Sequence, residues 1–222
     1  MTTLLERAKK LEKEAFLGGP LESFETAGRM QLQLLLKEGL YPDSKVLDIG
    51  CGCLRGGYWL IHFLDPGCYF GIEPDRRTLE AGMQGILEPG LLNLKRPRFD
   101  HNSDFDFSVF GEPFDFFMAR SIWTHTSKDQ IRTMLDGFMR HSKPGGAFLT
   151  SYKRASWFRR DDYRGAKWVG RSHESDLSGL VRHSFRWIQT ECRKRGLFAE
   201  EIAESTFRLG DQSWLKIVVQ TT

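Results

Sequence analysis

Apolar positions recur with two different periods along this chain. Residues 3 to 16 follow a helical period, with Leu4, Leu5, Ala8 and Leu11 on one face and Lys and Glu on the other. "LGGP" breaks that helix, and "ESFETAGRMQLQLLLKEGL" resumes helical spacing as far as Gly39, where a glycine C-cap is expected. From residue 45 the pattern changes. "KVLDI" has the length and apolar content of a strand, and the helix-like run "GGYWLIHFL" follows it, ended by "DPG". "CYFGIE" predicts a second strand and "PDRRTLEAGMQGIL" a second helix. "PRFDHN" is a weaker third strand and "FDFFMAR" a fourth. "SKDQIRTMLDGFMRHS" aligns Ile131, Met134, Leu135 and Phe138 on one helix face, and "GGAFLTSY" forms a fifth strand after the turn "KPGG".

Strands and helices alternate at βαβ length from residue 45 to 152, which predicts a doubly wound α/β fold with a mostly parallel sheet. The C-terminal end differs. "FAEEIAES" and "QSWLKIVVQ" leave no room for a helix between them and predict an antiparallel hairpin at the sheet's edge. Between these regions, Leu177 to Arg195 reads as a helix with Leu180, Val181, Phe185 and Ile188 inward. Residues 153 to 176 form a long, basic and aromatic loop. Loops of that length in a folded domain are commonly lids, so 153–195 is expected to cover an active site.

Composition narrows the class. The chain has 222 residues, 40% of them hydrophobic, enough for one sizeable core. No apolar run approaches the roughly 20 residues of a membrane span. "MTTLLERAKKLEKEAF" lacks the apolar centre of a signal peptide, so a cytoplasmic location is expected. Cysteines stand at 51, 53, 68 and 192, which suits a reducing compartment. Cys51 and Cys53 have no second Cys or His cluster to complete a zinc set, and no metal is expected. The net charge of +3 neither demands nor excludes a nucleic-acid partner.

Chemistry concentrates at "VLDIGCG". A parallel strand that stops at Gly50-Cys51-Gly52 can bring backbone N–H groups to a ligand at the strand's carboxyl end, because glycine presents no Cβ. Glu73 ends the second strand 21 residues past Gly52, where a carboxylate can accept both hydroxyls of a ribose. A dinucleotide site would want a third glycine where Arg55 stands, and Asp48 would repel a pyrophosphate. Both features suit a ligand that carries an ammonium and a ribose but no phosphate.

These residues resemble the class I S-adenosylmethionine-dependent methyltransferases. "VLDIGCGCLRG" is similar to their first motif, "FGIEPD" to their second-strand acidic motif, "EPFDFFMARSIWTH" to their fourth-strand motif and "LDGFMRHSKPGGAFLTSY" to the helix-turn-strand before their fifth strand. The resemblance spans residues ~40 to 152 in register and departs from the family at Leu54, where an optional third glycine would stand. It implies a seven-stranded Rossmann-like sheet with a reversed C-terminal strand, helices in residues 1–40 that cover the cofactor, and a methyltransferase domain in 41–222. It implies S-adenosylmethionine as cofactor, held by Asp48, Gly50, Cys51, Gly52, Glu73 and Pro74. Asp104 and Phe105 are the expected adenine contacts, with Arg120 and Ser121 near the methionine moiety. Arg29 is a candidate for the cofactor's carboxylate.

The acceptor side is less constrained. Trp123, Thr124 and His125 are expected to line its mouth, and His125 is the first candidate for a general base. Arg159, Arg160, Arg164 and Lys167 suggest a small-molecule acceptor bearing an anion, methylated on a hydroxyl; Tyr163 and His173 are further candidate contacts in the lid, and His173 and Asp161 are alternative bases. Nucleic acid is not expected as a partner: the fourth strand ends without the Asn/Asp-Pro-Pro-aromatic run of amino-methylating nucleic-acid enzymes. An RNA or protein acceptor, or a cofactor-binding protein without turnover, are the alternative readings.

Overall fold

Thr3 opens the first helix. Its hydroxyl accepts from the Glu6 amide while the Glu6 carboxylate accepts from the Thr3 amide, a capping box that starts α1 (Leu4–Leu11). The computed structural model describes residues 2–156, 161, 163–170, 179–203 and 211–220. The helix ends at Leu11, short of the predicted residue 16, because Leu4, Ala8 and Leu11 complete its buried stripe and Phe16 is left exposed. Helix α2 (Phe24–Lys37) stops where glycine lets it stop. Gly39 adopts φ +93°, its amide donates to Leu36 and the Leu40 amide donates to Leu35, so the last carbonyls are satisfied.

The chain folds as two units, Met1–Ser103 and Asp104–Thr222. The first holds three parallel strands, β1 (Val46–Ile49), β2 (Tyr69–Ile72) and β3 (Arg98–Asp100), paired as Val46↔Tyr69 and Phe70↔Arg98. All four residues of β1 and of β2 are buried, as expected for parallel strands covered on both faces. Helices α3 (Gly57–Phe63) and α4 (Arg76–Gly85) follow β1 and β2; Asp75 caps α4 by accepting from the Arg77 amide. A five-residue α5 (Leu91–Lys95) is too short to leave a periodic signal. Helix α1 is fastened by Arg7, whose guanidinium donates to the Ile86 carbonyl and to Glu88.

The second unit contains β4 (Phe114–Ala119), α6 (Lys128–His141), β5 (Ser142–Tyr152), α7 (Phe185–Arg193), β6 (Leu197–Glu201) and β7 (Ser213–Val219). Its core is aromatic: Phe117 meets Phe138 edge-on at 5.0 Å and lies within 6.0 Å of Phe148. Strand β5 starts earlier than predicted. Its register against β4 moves from Phe114↔Ser142 to Phe116↔Ala147, so "KPGG" is taken up as an irregularity inside the strand and not as a separate turn. Strand β7 runs antiparallel to both β5 and β6, and the sheet order is β3-β2-β1-β4-β5-β7-β6. This is the mostly parallel, seven-stranded arrangement with a reversed C-terminal strand that the sequence predicts. No helix among the described residues is long and apolar enough to cross a membrane.

Helix α7 corrects an expectation. It starts at Phe185, well after Leu177, because Ser184 accepts from the Trp187 amide as N-cap and the preceding His183 is held extended, bridged to Arg154 and donating its amide to Lys153. Leu180 is therefore exposed and Phe185 half-buried, while Val181 and Ile188 are buried as expected. The described part of the segment 153–195 packs on its own unit: Val169 donates its amide to the His125 carbonyl, Val181 to Thr124, and the Ser127 hydroxyl donates to Ala166.

Candidate active site

The turn after β1 is built from three left-handed residues at alternate positions: Gly50 (φ +71°), Gly52 (φ +54°) and Leu54 (φ +64°). Two are glycines, which adopt this conformation without a Cβ penalty. Leu54 is fully buried and takes it although it is not a glycine. The amides of Gly50 and Cys51 both donate to the Ile72 carbonyl, at 2.8 and 3.1 Å, which ties the turn to the end of β2.

Glu73 holds the turn from the other side. One carboxylate oxygen accepts from the Gly52 amide and the other from the Asp75 amide, each at 3.0 Å, with Pro74 between. His101 donates through Nδ1 to the Glu73 carbonyl at 2.7 Å. Burial raises the Glu73 pKa, and the two amide bonds oppose that rise. Asp48 is buried within β1 and accepts from the Tyr69 hydroxyl at 2.8 Å. Burial pushes its carboxyl up to about 7, the tyrosine bond lowers it, and the nearby Glu73 charge raises it further. Cys51 and Cys53 are buried thiols whose ionisation burial suppresses. A Cβ on Gly71 would meet the Cys51 sulfur at 2.9 Å, so this side chain packs against the sheet and leaves only its backbone for a ligand.

Arg55 has a structural task. Its Nε donates to the Phe24 carbonyl, an Nη donates to the Ser23 hydroxyl, and the guanidinium lies over the Phe24 ring at 5.3 Å. It clamps the start of α2 to the loop, at the position where a dinucleotide fold needs glycine. Gly28 makes room for the clamp, since a Cβ there would collide with the Arg55 carbonyl. Arg29 is exposed on α2 and forms no ion pair among the described residues. Asp104 is exposed, and Phe105 is half-buried with φ +61°, a left-handed conformation uncommon for an aromatic residue.

In the second unit, Arg120 and Ser121 directly follow β4. Ser121 is left-handed (φ +62°) and sits in a closed ring of hydrogen bonds. Its amide donates to the Ser151 hydroxyl at 2.7 Å, Ser151 donates to Gln212 at 2.7 Å, and the Gln212 amide nitrogen donates back to the Ser121 hydroxyl at 2.9 Å. Ser151 and Gln212 went unnoticed in the sequence, where no motif marks them.

Trp123 needs correction. It is 0% exposed and meets Phe148 edge-on at 5.8 Å, so it belongs to the core and lines no mouth. Thr124 is equally buried, accepting the Val181 amide through its carbonyl. His125 is half-buried. Its ring stacks on Trp168 at 5.2 Å, and its Nδ1 lies 2.6 Å from the Val169 carbonyl. A carbonyl only accepts, so Nδ1 carries the proton and Nε2 is the basic nitrogen of the neutral ring. Gly170 faces this ring: a Cβ there would lie 2.5 Å from Nδ1.

Tyr163 closes its own loop by donating to the Lys167 carbonyl at 2.8 Å. Asp161 is engaged within the fold: it pairs with Lys128 at 3.0 Å and accepts the Ser184 amide. Arg159, Arg160 and His173 lie outside the described residues.

No protein-family model matches the chain. Solved structures do. Magnesium protoporphyrin IX methyltransferase (ChlM) from Synechocystis PCC 6803, with bound S-adenosylhomocysteine, aligns with a TM-score of 0.63 at 13% identity over 97% of this chain and 94% of that one. DhpI in complex with S-adenosylhomocysteine aligns with a TM-score of 0.62 at 11% identity over the full length of both chains. The glycopeptide N-methyltransferase MtfA, complexed with S-adenosylmethionine, gives 0.64 at 14% identity over 86% of this chain and 94% of that one. The chain therefore has the fold of the S-adenosylmethionine-dependent methyltransferases.

Proposed function

We propose that this protein is an S-adenosylmethionine-dependent methyltransferase that acts on a hydroxyl of a small, anionic acceptor. One observation carries the cofactor assignment. A buried carboxylate, Glu73, ends β2 and accepts the Gly52 amide from a turn whose backbone is left-handed at three alternate positions. Each Glu73 oxygen retains a second acceptor direction, which suits the two hydroxyls of a ribose. The buried Asp48 disfavours a pyrophosphate at this turn and so speaks against a nicotinamide dinucleotide.

S-adenosylmethionine, when bound, supplies an electrophilic methyl group on a sulfonium. Glu73 binds and orients it beside the turn of Gly50, Cys51 and Gly52, and Arg29 pairs with its carboxylate. His125 takes the acceptor's hydroxyl proton on Nε2, because the Val169 carbonyl holds the proton already on Nδ1.

Calorimetry with S-adenosylhomocysteine and with NADH tests the reading. The first should bind, the second should not, and Glu73→Ala should weaken the first by about 1.5–3 kcal/mol, the scale of a buried charged hydrogen bond. Tighter binding of NADH, or unchanged affinity in the variant, overturns it.

A further inference from the structure

The chain between β4 and α6 is laced to a later segment of the second unit, and the contacts follow one order. Asp161 pairs with Lys128 at 3.0 Å, and the Ala166 carbonyl accepts from the Ser127 hydroxyl at 3.0 Å. Val169 bonds to His125, and the Val181 amide donates to the Thr124 carbonyl. As one segment ascends in number the other descends, so they run antiparallel. Tyr163 closes the later segment on itself through the Lys167 carbonyl. Residues 163–170 therefore form a strap that protein contacts alone hold in place.

At His125 the strap meets the imidazole itself. Val169 is bonded to this residue twice: its amide donates to the His125 carbonyl at 2.7 Å, and its own carbonyl accepts from Nδ1 at 2.6 Å. The first bond fixes the backbone, and the second fixes the ring's rotation and tautomer. Trp168 lies along the ring, with centroids 5.2 Å apart and planes 20° from parallel. Gly170 is buried at φ +124°, and a Cβ there would lie 2.5 Å from Nδ1 and 3.0 Å from Cε1. The backbone angle selects glycine, and the room left by its missing side chain is the room that the imidazole fills. A ring that exchanges a proton must present one particular nitrogen unprotonated, and this cradle chooses which.

We propose that Trp168, Val169 and Gly170 are positioning residues for His125, holding it as the Nδ1–H tautomer in one ring orientation before any ligand arrives. This rests on the reading of His125 as the base and adds the device that aims it. A base whose ring and tautomer are set by its own fold leaves none of that ordering to the acceptor's binding energy. The strap thereby has a task other than covering a site. It orients one side chain from beneath, through a carbonyl, an aromatic face and a glycine.

Nitrogen-15 NMR of the histidine rings tests this in the free protein, at a pH where the His125 ring is neutral, with its signals assigned by their loss in His125→Gln. Two-bond proton–nitrogen correlations distinguish Nδ1–H from Nε2–H. The wild type should show Nδ1–H. Gly170→Ala should push the ring off the Val169 carbonyl and lower the ratio of Nδ1–H to Nε2–H about tenfold, the worth of one hydrogen bond. Trp168→Ala should lower the ratio as well, and Trp168→Phe, which keeps an aromatic face, should restore it. An Nε2–H ring in the wild type overturns the proposal, and so does a Gly170→Ala ratio equal to the wild type's. If Gly170→Ala does not fold, the Trp168 pair decides, and an unchanged ratio in Trp168→Ala overturns it. Failure of the underlying reading appears separately: absent S-adenosylhomocysteine binding in calorimetry would sink the methyltransferase while the tautomer and its response to the variants still upheld the cradle.

Discussion

The turn after β1 and the ring after β4 each hold left-handed residues in place, but by different means. In the first unit the backbone does the holding. Gly50, Cys51 and Gly52 spend their amides on Ile72 and Glu73, and glycine occupies two of the three left-handed positions. In the second unit side chains hold it. Ser121 is left-handed without being glycine, and Ser151 and Gln212, 30 and 91 residues away, tie it down. The first arrangement sets its turn with groups that every residue possesses. The second depends on side chains and can be altered one residue at a time.

On the proposed function, affinity belongs to the first region and turnover to the second, and the largest expected effect tests that division. His125→Gln should lower kcat by about a hundredfold while S-adenosylhomocysteine affinity stays the same, because a general base acts on the acceptor alone. Steady-state kinetics and calorimetry on one preparation separate the two quantities. The wild-type rate should rise with pH through an ionisation that the variant lacks. Near-normal kcat in the variant would remove His125 from the mechanism.

The next effect lies in the first unit and concerns stability. Asp48 titrates at about 7 in the folded protein, chiefly because it is buried. Unfolded, it would ionise near pH ~3.9, so between these values the unfolded state binds fewer protons than the folded one. Stability therefore falls as pH rises from about 4 to 7, and the loss is complete above the folded pKa. Asp48→Asn keeps an oxygen for the Tyr69 hydroxyl and removes the charge. In urea titrations it should be the more stable protein at pH 8 by on the order of 2 kcal/mol, with the difference shrinking toward pH 5. An equal difference at both pH values would mean that Asp48 ionises normally in the folded chain.

How far each region could be read from the sequence follows the same division. Asp48, Gly50, Gly52 and Glu73 stand within 26 residues, in types that the chemistry demands, and the turn they predict is present. Leu54 looked like a departure, since backbone conformation is invisible where the residue type does not require it. Trp123 was misplaced because an aromatic after a strand looks the same whether it faces a ligand or, as here, Phe148. The Ser121, Ser151 and Gln212 ring left no trace, because its members meet only after β7 inserts beside β5. Arg55 is legible in the sequence as hostile to a dinucleotide, but its clamp on Ser23 and Phe24 exists only through the tertiary contact.

The smallest effect separates strain from bonding in the ring. Ser121→Ala removes the hydroxyl that accepts from Gln212 and keeps a Cβ in the left-handed conformation. Ser121→Gly removes the same hydroxyl and relieves the backbone, so the two variants differ chiefly by the strain. A non-glycine residue in that conformation carries about 1 kcal/mol or somewhat more, and glycine returns part of the relief as unfolded-state entropy. Losing the hydroxyl's hydrogen bonds costs a similar amount. Ser121→Gly should therefore lie within about 1 kcal/mol of the wild type, with Ser121→Ala the less stable of the two by about 1 kcal/mol, as read from urea midpoints. Gly52→Ala in the first unit should show the strain alone, because the Gly52 amide keeps its bond to Glu73 and a Cβ there meets nothing within 4 Å. If Ser121→Ala proves as stable as Ser121→Gly, the ring imposes no strain on Ser121, and its left-handed turn is set by the hydrogen bonds without cost.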